Sequence, residues 1–210
     1  FIVIPQNGIE LVTRNGEEDD SLHAAYISAI DGNGQEDLFY GYDKDDKATY
    51  AEDRSYLMKY LGKSKGAGKT ILVTDYCSTH SNIDNSYYQN NAAGFISFAA
   101  SHRELDNIPD YPDPVYGVNN HIITSLSQIK NFLYLINPQN YPTKADFINA
   151  VTSTNYDLLI MDLYFDEITE FTAGELTRLK NKANGGKRLV ISYMSIGEAE
   201  DYRYYWQSGW

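Results

Sequence analysis

The chain has 210 residues, 42% of them apolar, and carries 29 acidic against 17 basic side chains for a formal net charge of −12. That supplies enough apolar material for a sizeable core in one large domain or two small ones, and it excludes an intrinsically disordered chain. So acidic a surface repels phosphate backbones and excludes nucleic acid as a partner, while neutral sugars are compatible and cationic ones attracted; its plainest role is solubility.

Short β-type runs alternate with amphipathic helical stretches, the pattern of α/β architecture with a parallel sheet. Residues 1–5 (FIVIP) read as a buried strand, 22–30 as a helix and 37–41 (DLFYG) as a second strand. Residues 50–61 are helical, with Tyr56, Leu57, Tyr60 and Leu61 on one face. Residues 69–77 (KTILVTDYC) form a third strand that ends in polar groups, and a helical stretch around 86–93 precedes the run GFISFAA at 94–100. The segment 107–120, with Pro109, Pro112 and Pro114, suits neither a regular helix nor a central strand, and is expected to be a linker outside the sheet. The alternation then resumes: strand 131–136, helix 144–154, strand 156–165, helix 172–184 and strand 187–195. Thr172 and Glu175 form a capping box at the start of the last helix, and Gly185–Gly186 ends it.

Cys77 is the only cysteine, so no intrachain disulfide is possible, and one Cys with four scattered His builds no zinc cluster. No apolar run approaches the ~20 residues of a membrane helix, so no membrane-spanning segment is expected. The chain opens on Phe1 inside an apolar run with no initiator Met, the mark of a processed or trimmed chain that leaves secretion open.

The stretch GKSKGAGKT at 62–70 is rich in Gly and Lys but is no phosphate loop. Gly62 and Gly68 are one residue too far apart, and the stretch precedes a strand where the loop must follow one. More informative is where polar groups fall. Gln6 and Asn7, Asp75 and Tyr76, Asp162, and Tyr193 with Glu198 all sit at or just past strand ends. A carboxylate there is costly unless paired or used. One such residue is ordinarily a helix cap or a loop ion pair; four ends together suggest a site at the carboxyl face of a parallel sheet. Tyrosines and tryptophans accompany these ends, among them Tyr134, Tyr164 and Trp206, and suit stacking on sugar rings.

SYMSIGEAEDYRYYW (192–206) resembles the third-strand signature of the endo-α-1,4-polygalactosaminidase-like family, glycoside hydrolase family 114, in its bacterial branch also labelled cysteinyl-tRNA synthetase-related. NFLYLI and YDLLIMDLYF resemble its first two strands. IVIPQNGIEL, GQEDLFYGY and KTILVTDYC resemble its sixth, seventh and eighth, and GFISFAASHRELDNIP resembles the segment that closes its domain. The resemblance implies a (β/α)8 TIM-type barrel in circularly permuted order, with about six of eight strands present. Strands six to eight fall in 1–106, a joint in 107–120 and strands one to three in 121–210, together one domain. The fourth and fifth strands have no counterpart in these residues, so on this reading chain beyond Trp210 or another chain completes the fold.

The implied activity is hydrolysis of an α-linked amino-sugar polysaccharide by two carboxylates, one a general acid and the other a nucleophile or base, with no metal or organic cofactor and an extracytoplasmic location. Glu36 matches a catalytic carboxylate of the family, and Asp162 is the second catalytic candidate. Gln6, Asn7, Asp75, Tyr76, Tyr134, Tyr193, Glu198 and Arg203 are the substrate-binding candidates, with Arg203 and Arg103 expected to hold carboxylates rather than sugar. Placed just ahead of the apolar run LFY, Glu36 is expected to be partly desolvated, which suits an acid catalyst; its plainer role is capping a turn after Gly32 and Gly34. The expected geometry is one sheet in which strand 131–136 pairs with 69–76. The alternatives are a non-catalytic sugar-binding barrel and an interaction scaffold.

Overall fold

The computed structural model describes residues 1–166, 168–196 and 206–209. Six parallel strands form two separate three-stranded sheets. The first sheet contains β1 (Gly32–Glu36), β2 (Thr70–Tyr76) and β3 (Ile96–Ala100), and the second β4 (Phe132–Tyr134), β5 (Leu158–Asp162) and β6 (Leu189–Tyr193). Helices α1 (Ala24–Ala29), α2 (Ala51–Gly66), α3 (His80–Ala93), α4 (Lys144–Thr152) and α5 (Ala173–Leu179) alternate with them.

This overturns the expected TIM-type barrel, in which all six strands would share one sheet. Strand β2 does not pair with β4, because β3, an apolar run given no strand role in the expected barrel, occupies the free edge of β2 in register Leu72↔Ile96 through Tyr76↔Ala100. Strand β4 pairs with β5, and no strand ladder joins it to β3. The seam between β3 and β4 is filled by side chains instead, with the Phe98 and Phe132 rings 5.7 Å apart. Leu72, Tyr76 and Phe98 of the first sheet and Phe132, Tyr134 and Leu158 of the second share one buried core. Strands buried on both faces explain the near-continuous apolar runs in β2 and β5.

Two elements move relative to expectation. Residues 37–41 are not a strand; the strand lies immediately upstream, in the polar run Gly-Asn-Gly-Gln-Glu of β1. The Gln6 side chain lies over Gly34, where a Cβ would meet its flexible end at 1.9 Å and its backbone only at 3.6 Å. Residues 3–7 lie against β1 in parallel, through Gly34 N to Pro5 O at 2.8 Å and Asn7 N to Gly34 O at 2.9 Å. Residues 1–5 are thus extended beside β1 but are not themselves a strand. Leu38, Phe39 and Tyr40 remain buried, as a loop folded over the helix-side core.

Helix α5 opens on the expected box, Thr172 N donating to Glu175 Oε2 at 2.8 Å, but it ends at Leu179, short of the expected 184. Beyond it the Lys182 ammonium turns inward to a fully buried ion pair with Asp157 at 2.8 Å. Asp157 also accepts from Asn119 Nδ2 at 2.8 Å and Lys130 N at 2.8 Å. Lys182 donates to Asn119 O at 2.8 Å. This cluster fastens the end of the proline-rich segment to the base of the second sheet.

Candidate functional site

In parallel strands, residues in register share a face. Glu36 of β1 is in register with Thr74, and Tyr76 lies two residues on, so Glu36 and Tyr76 point to the same, interior side. In the second sheet Tyr134, Ile160 and Ile191 are in register, with Asp162 and Tyr193 one step further on that face. Glu36, Tyr76, Tyr134, Asp162 and Tyr193 are each the last residue of their strand. The shift of β1 therefore places Glu36 at the carboxyl end of a strand rather than ahead of one.

The Glu36 carboxylate holds the ends together. Its Oε1 accepts the Tyr76 hydroxyl, and its Oε2 accepts Asn7 Nδ2 at 2.6 Å. Glu36 N returns a bond to Asn7 Oδ1 at 3.0 Å. Burial, and then the hydrogen bond to Glu36, push the Tyr76 hydroxyl well above the ordinary tyrosine range, so it stays a donor. Tyr134 is raised likewise, by burial first and then by its neighbours Glu36 and Tyr193. Tyr76 and Tyr134 share one buried core, with Tyr193 packed against it, so the strand ends of the two sheets meet there. Both carboxyl oxygens of Glu36 are thus engaged by partners within the protein.

Behind Tyr76 stands Arg103. Its guanidinium carbon lies 4.0 Å from the Tyr76 ring centroid, a cation–π contact. It donates to Asp37 Oδ1 at 3.0 Å, Asp45 Oδ1 at 2.8 Å and Gly41 O at 2.8 Å. Burial works against the Arg103 charge, but Asp37 and Asp45 outweigh it and keep the group cationic. Gly41 has φ 115, and a Cβ there would meet Asp37 Oδ1 at 2.3 Å, so this corner requires glycine. Asp46, on the same loop, accepts from Thr79 N at 2.9 Å and Ser78 N at 3.0 Å at the start of α3. Burial opposes its charge, but the hydrogen bonds from Thr79, Asn82 and Ser78 prevail and bring it down to about 2.

The structure brings Asn7, Glu36, Tyr76, Tyr134 and Tyr193 together. Asp162 ends β5 on the same face, with Oδ1 accepting from Tyr164 N at 2.9 Å. Gln6 pairs with Gly34 beside them, its Nε2 buried without a hydrogen-bond partner among the described residues. Asp75 is not brought to the cluster. Alternation along β2 turns it to the helix side, where it is fully buried and accepts from Phe39 N at 2.8 Å, Tyr40 N at 3.2 Å, Ser86 Oγ at 2.6 Å and Asn90 Nδ2 at 3.1 Å. Burial raises its carboxyl, and these hydrogen bonds only partly counter it. Glu198 and Arg203 lie outside the described residues. Asp37 and Asp45 were not among the sequence candidates, because their link to the site runs through Arg103, about sixty residues away.

Among the described residues no group of three or more His, Cys, Asp or Glu is placed to hold a metal ion, and no helix is long and apolar enough to cross a membrane.

No protein-family profile matches the chain. It is 33% identical over 126 residues to an uncharacterized protein of Methanocaldococcus jannaschii, a match covering 55% of this chain and 32% of that protein. It is 38% identical over 63 residues to an uncharacterized protein of Deinococcus radiodurans, covering 30% of this chain and 19% of that one. The chain thus spans about a third or less of the relatives it matches.

Proposed function

We propose that this protein is a glycoside hydrolase acting on an α-linked amino-sugar polysaccharide of the polygalactosamine type. The observation that carries the reading is Glu36, set at the carboxyl end of β1 and held by Asn7 and by Tyr76, whose ring shares a buried core with Tyr134. In this reading Glu36 is the nucleophile or base, and Asp162, on the same face, is the acid. The tyrosines supply apolar ring surface for a pyranose, and the −12 charge draws in a partly de-acetylated, cationic polymer by an attraction that salt screens over ~8 Å. The resemblance of QEDLFY and SIGEAEDYR to the polygalactosaminidase-like family supports the same substrate, and with it a place outside the cytoplasm.

The test is release of reducing ends from α-1,4-galactosamine oligomers by the wild type and by Glu36→Gln. The expected result is a fall in kcat of at least ~10²-fold, with binding largely kept. A polymer neither cut nor bound by the wild type would overturn the proposal, and an unchanged kcat would remove Glu36 from the reaction. Binding without turnover would establish the second reading, a non-catalytic sugar-binding protein. That reading is favoured by one feature: both Glu36 oxygens are already engaged by protein donors.

A further inference from the structure

At the other end of the first sheet a cleft of about 380 Å3 opens beside Thr70 and Ile96, the first residues of β2 and β3. Three lysines, Lys65, Lys69 and Lys130, line it, and no acidic residue does. In a chain with 29 acidic and 17 basic residues, a cleft with three cations and no anion stands against the overall charge. Two of these lysines come from the Gly/Lys-rich stretch 62–70, which has the wrong spacing and order for a phosphate loop. Here two of its lysines line the cleft.

Two of the ammonium groups are held in place. Lys65 Nζ donates to Ala93 O at the end of α3 and lies 5.6 Å from the Phe95 ring centroid. Lys69 Nζ donates to Ile30 O at 2.8 Å, just past α1. Each bond uses one of three ammonium donors and leaves two. Among the described residues the Lys130 ammonium has no acidic partner, while its backbone is fixed by the bond from Lys130 N to Asp157. The walls between the lysines are mixed, with Phe95, Leu126 and Ile129 supplying apolar surface beside the polar Asn91, Ser97 and Ser127. The volume falls within the usual range for small-molecule sites, ~300–1,000 Å3.

We propose that this cleft is a binding site for a small organic oxyanion, a carboxylate or phosphate group carried on an apolar body. The lysines take the charged group, and the Phe95–Leu126–Ile129 wall takes the body. The site lies at the opposite strand ends from Glu36 and does not depend on the function proposed there.

Amide NMR on the 210-residue chain tests it, with phenyl phosphate and benzoate as ligands and phenol and inorganic phosphate as the separate halves. The expected result is saturable shifts at Ile96, Leu126 and Lys130 with phenyl phosphate or benzoate, the stronger ligand naming the oxyanion. Either half alone binds at least ~10-fold more weakly, a difference of about 1.4 kcal/mol. Lys65 anchors the end of α3, so Lys130→Met is the primary variant: it keeps a native amide spectrum and loses at least ~10-fold in affinity. Absence of saturable shifts at these amides would overturn the proposal. So would unchanged affinity in Lys130→Met, or inorganic phosphate binding as well as phenyl phosphate.

Discussion

Asp75 looked like a pocket residue, and the structure makes it a fastener, a difference with measurable consequences. Its fully buried carboxylate accepts two backbone N–H groups, from Phe39 and Tyr40, and two side chains of α3. In Asp75→Ala the Ser86 hydroxyl and the Asn90 amide can turn to each other, being 3.4 Å apart already. The two backbone donors have no such substitute. A buried donor left unpaired costs about 1–3 kcal/mol, so the pair costs roughly 2–6; release from burying a charge offsets part of that, leaving ~3 kcal/mol. Against a total stability on the order of 10 kcal/mol that is a large share. Asp75→Asn keeps an acceptor oxygen for Phe39 and Tyr40 and should lose only ~1 kcal/mol. Urea unfolding followed by far-ultraviolet circular dichroism measures both. The pH dependence is a second signature. The folded-state carboxyl is raised above its unfolded value, so the folded protein binds the extra proton between the two. Wild-type stability relative to Asp75→Asn is therefore greatest at low pH and declines as pH rises from the ordinary carboxylate range toward the raised value. An alanine variant within ~0.5 kcal/mol of wild type, or an asparagine variant as damaged as alanine, would refute the reasoning.

Three further outcomes follow from the same structure. Tyr76→Phe removes the hydroxyl from Glu36 but keeps the ring under Arg103, so urea unfolding should show a change of no more than ~1 kcal/mol while turnover or sugar affinity falls. Lys182→Met strands the buried Asp157 carboxylate and should cost about 3–5 kcal/mol in urea unfolding, with Lys182→Met/Asp157→Asn recovering part of the loss. Asp46 is held at about 2 in the fold against an ordinary 3.8, so its contribution is present above the ordinary value and lost as pH falls through about 2. Acid unfolding of Asp46→Asn beside wild type should show the two converging across that window.

What local pattern determines was legible in the residues. Helix α2, the capping box of Thr172 and Glu175, and strands β2, β4, β5 and β6 follow from apolar periodicity and cap chemistry, which act within a few residues. The placing of polar residues at strand ends likewise pointed to Tyr76, Asp162 and Tyr193, because a parallel sheet brings those ends to one face, whereas Glu36 was reached only through the resemblance of QEDLFY and was expected ahead of a strand. Strand β1 was not legible. Gly-Asn-Gly-Gln-Glu has no β propensity of its own and is a strand only because residues 3–7 and β2 flank it, whereas the apolar run after it stays a loop because Asp75 satisfies its backbone. Nor was the choice between one closed sheet and two open ones legible. It turned on which strand occupies the free edge of β2, and both β3 and β4 carry the apolar residues that edge requires. Residues in one strand settle their alternation among themselves; which edge meets which, and whether a carboxylate ends up facing Glu36 or the underside of α3, is decided by contacts between residues far apart in the chain.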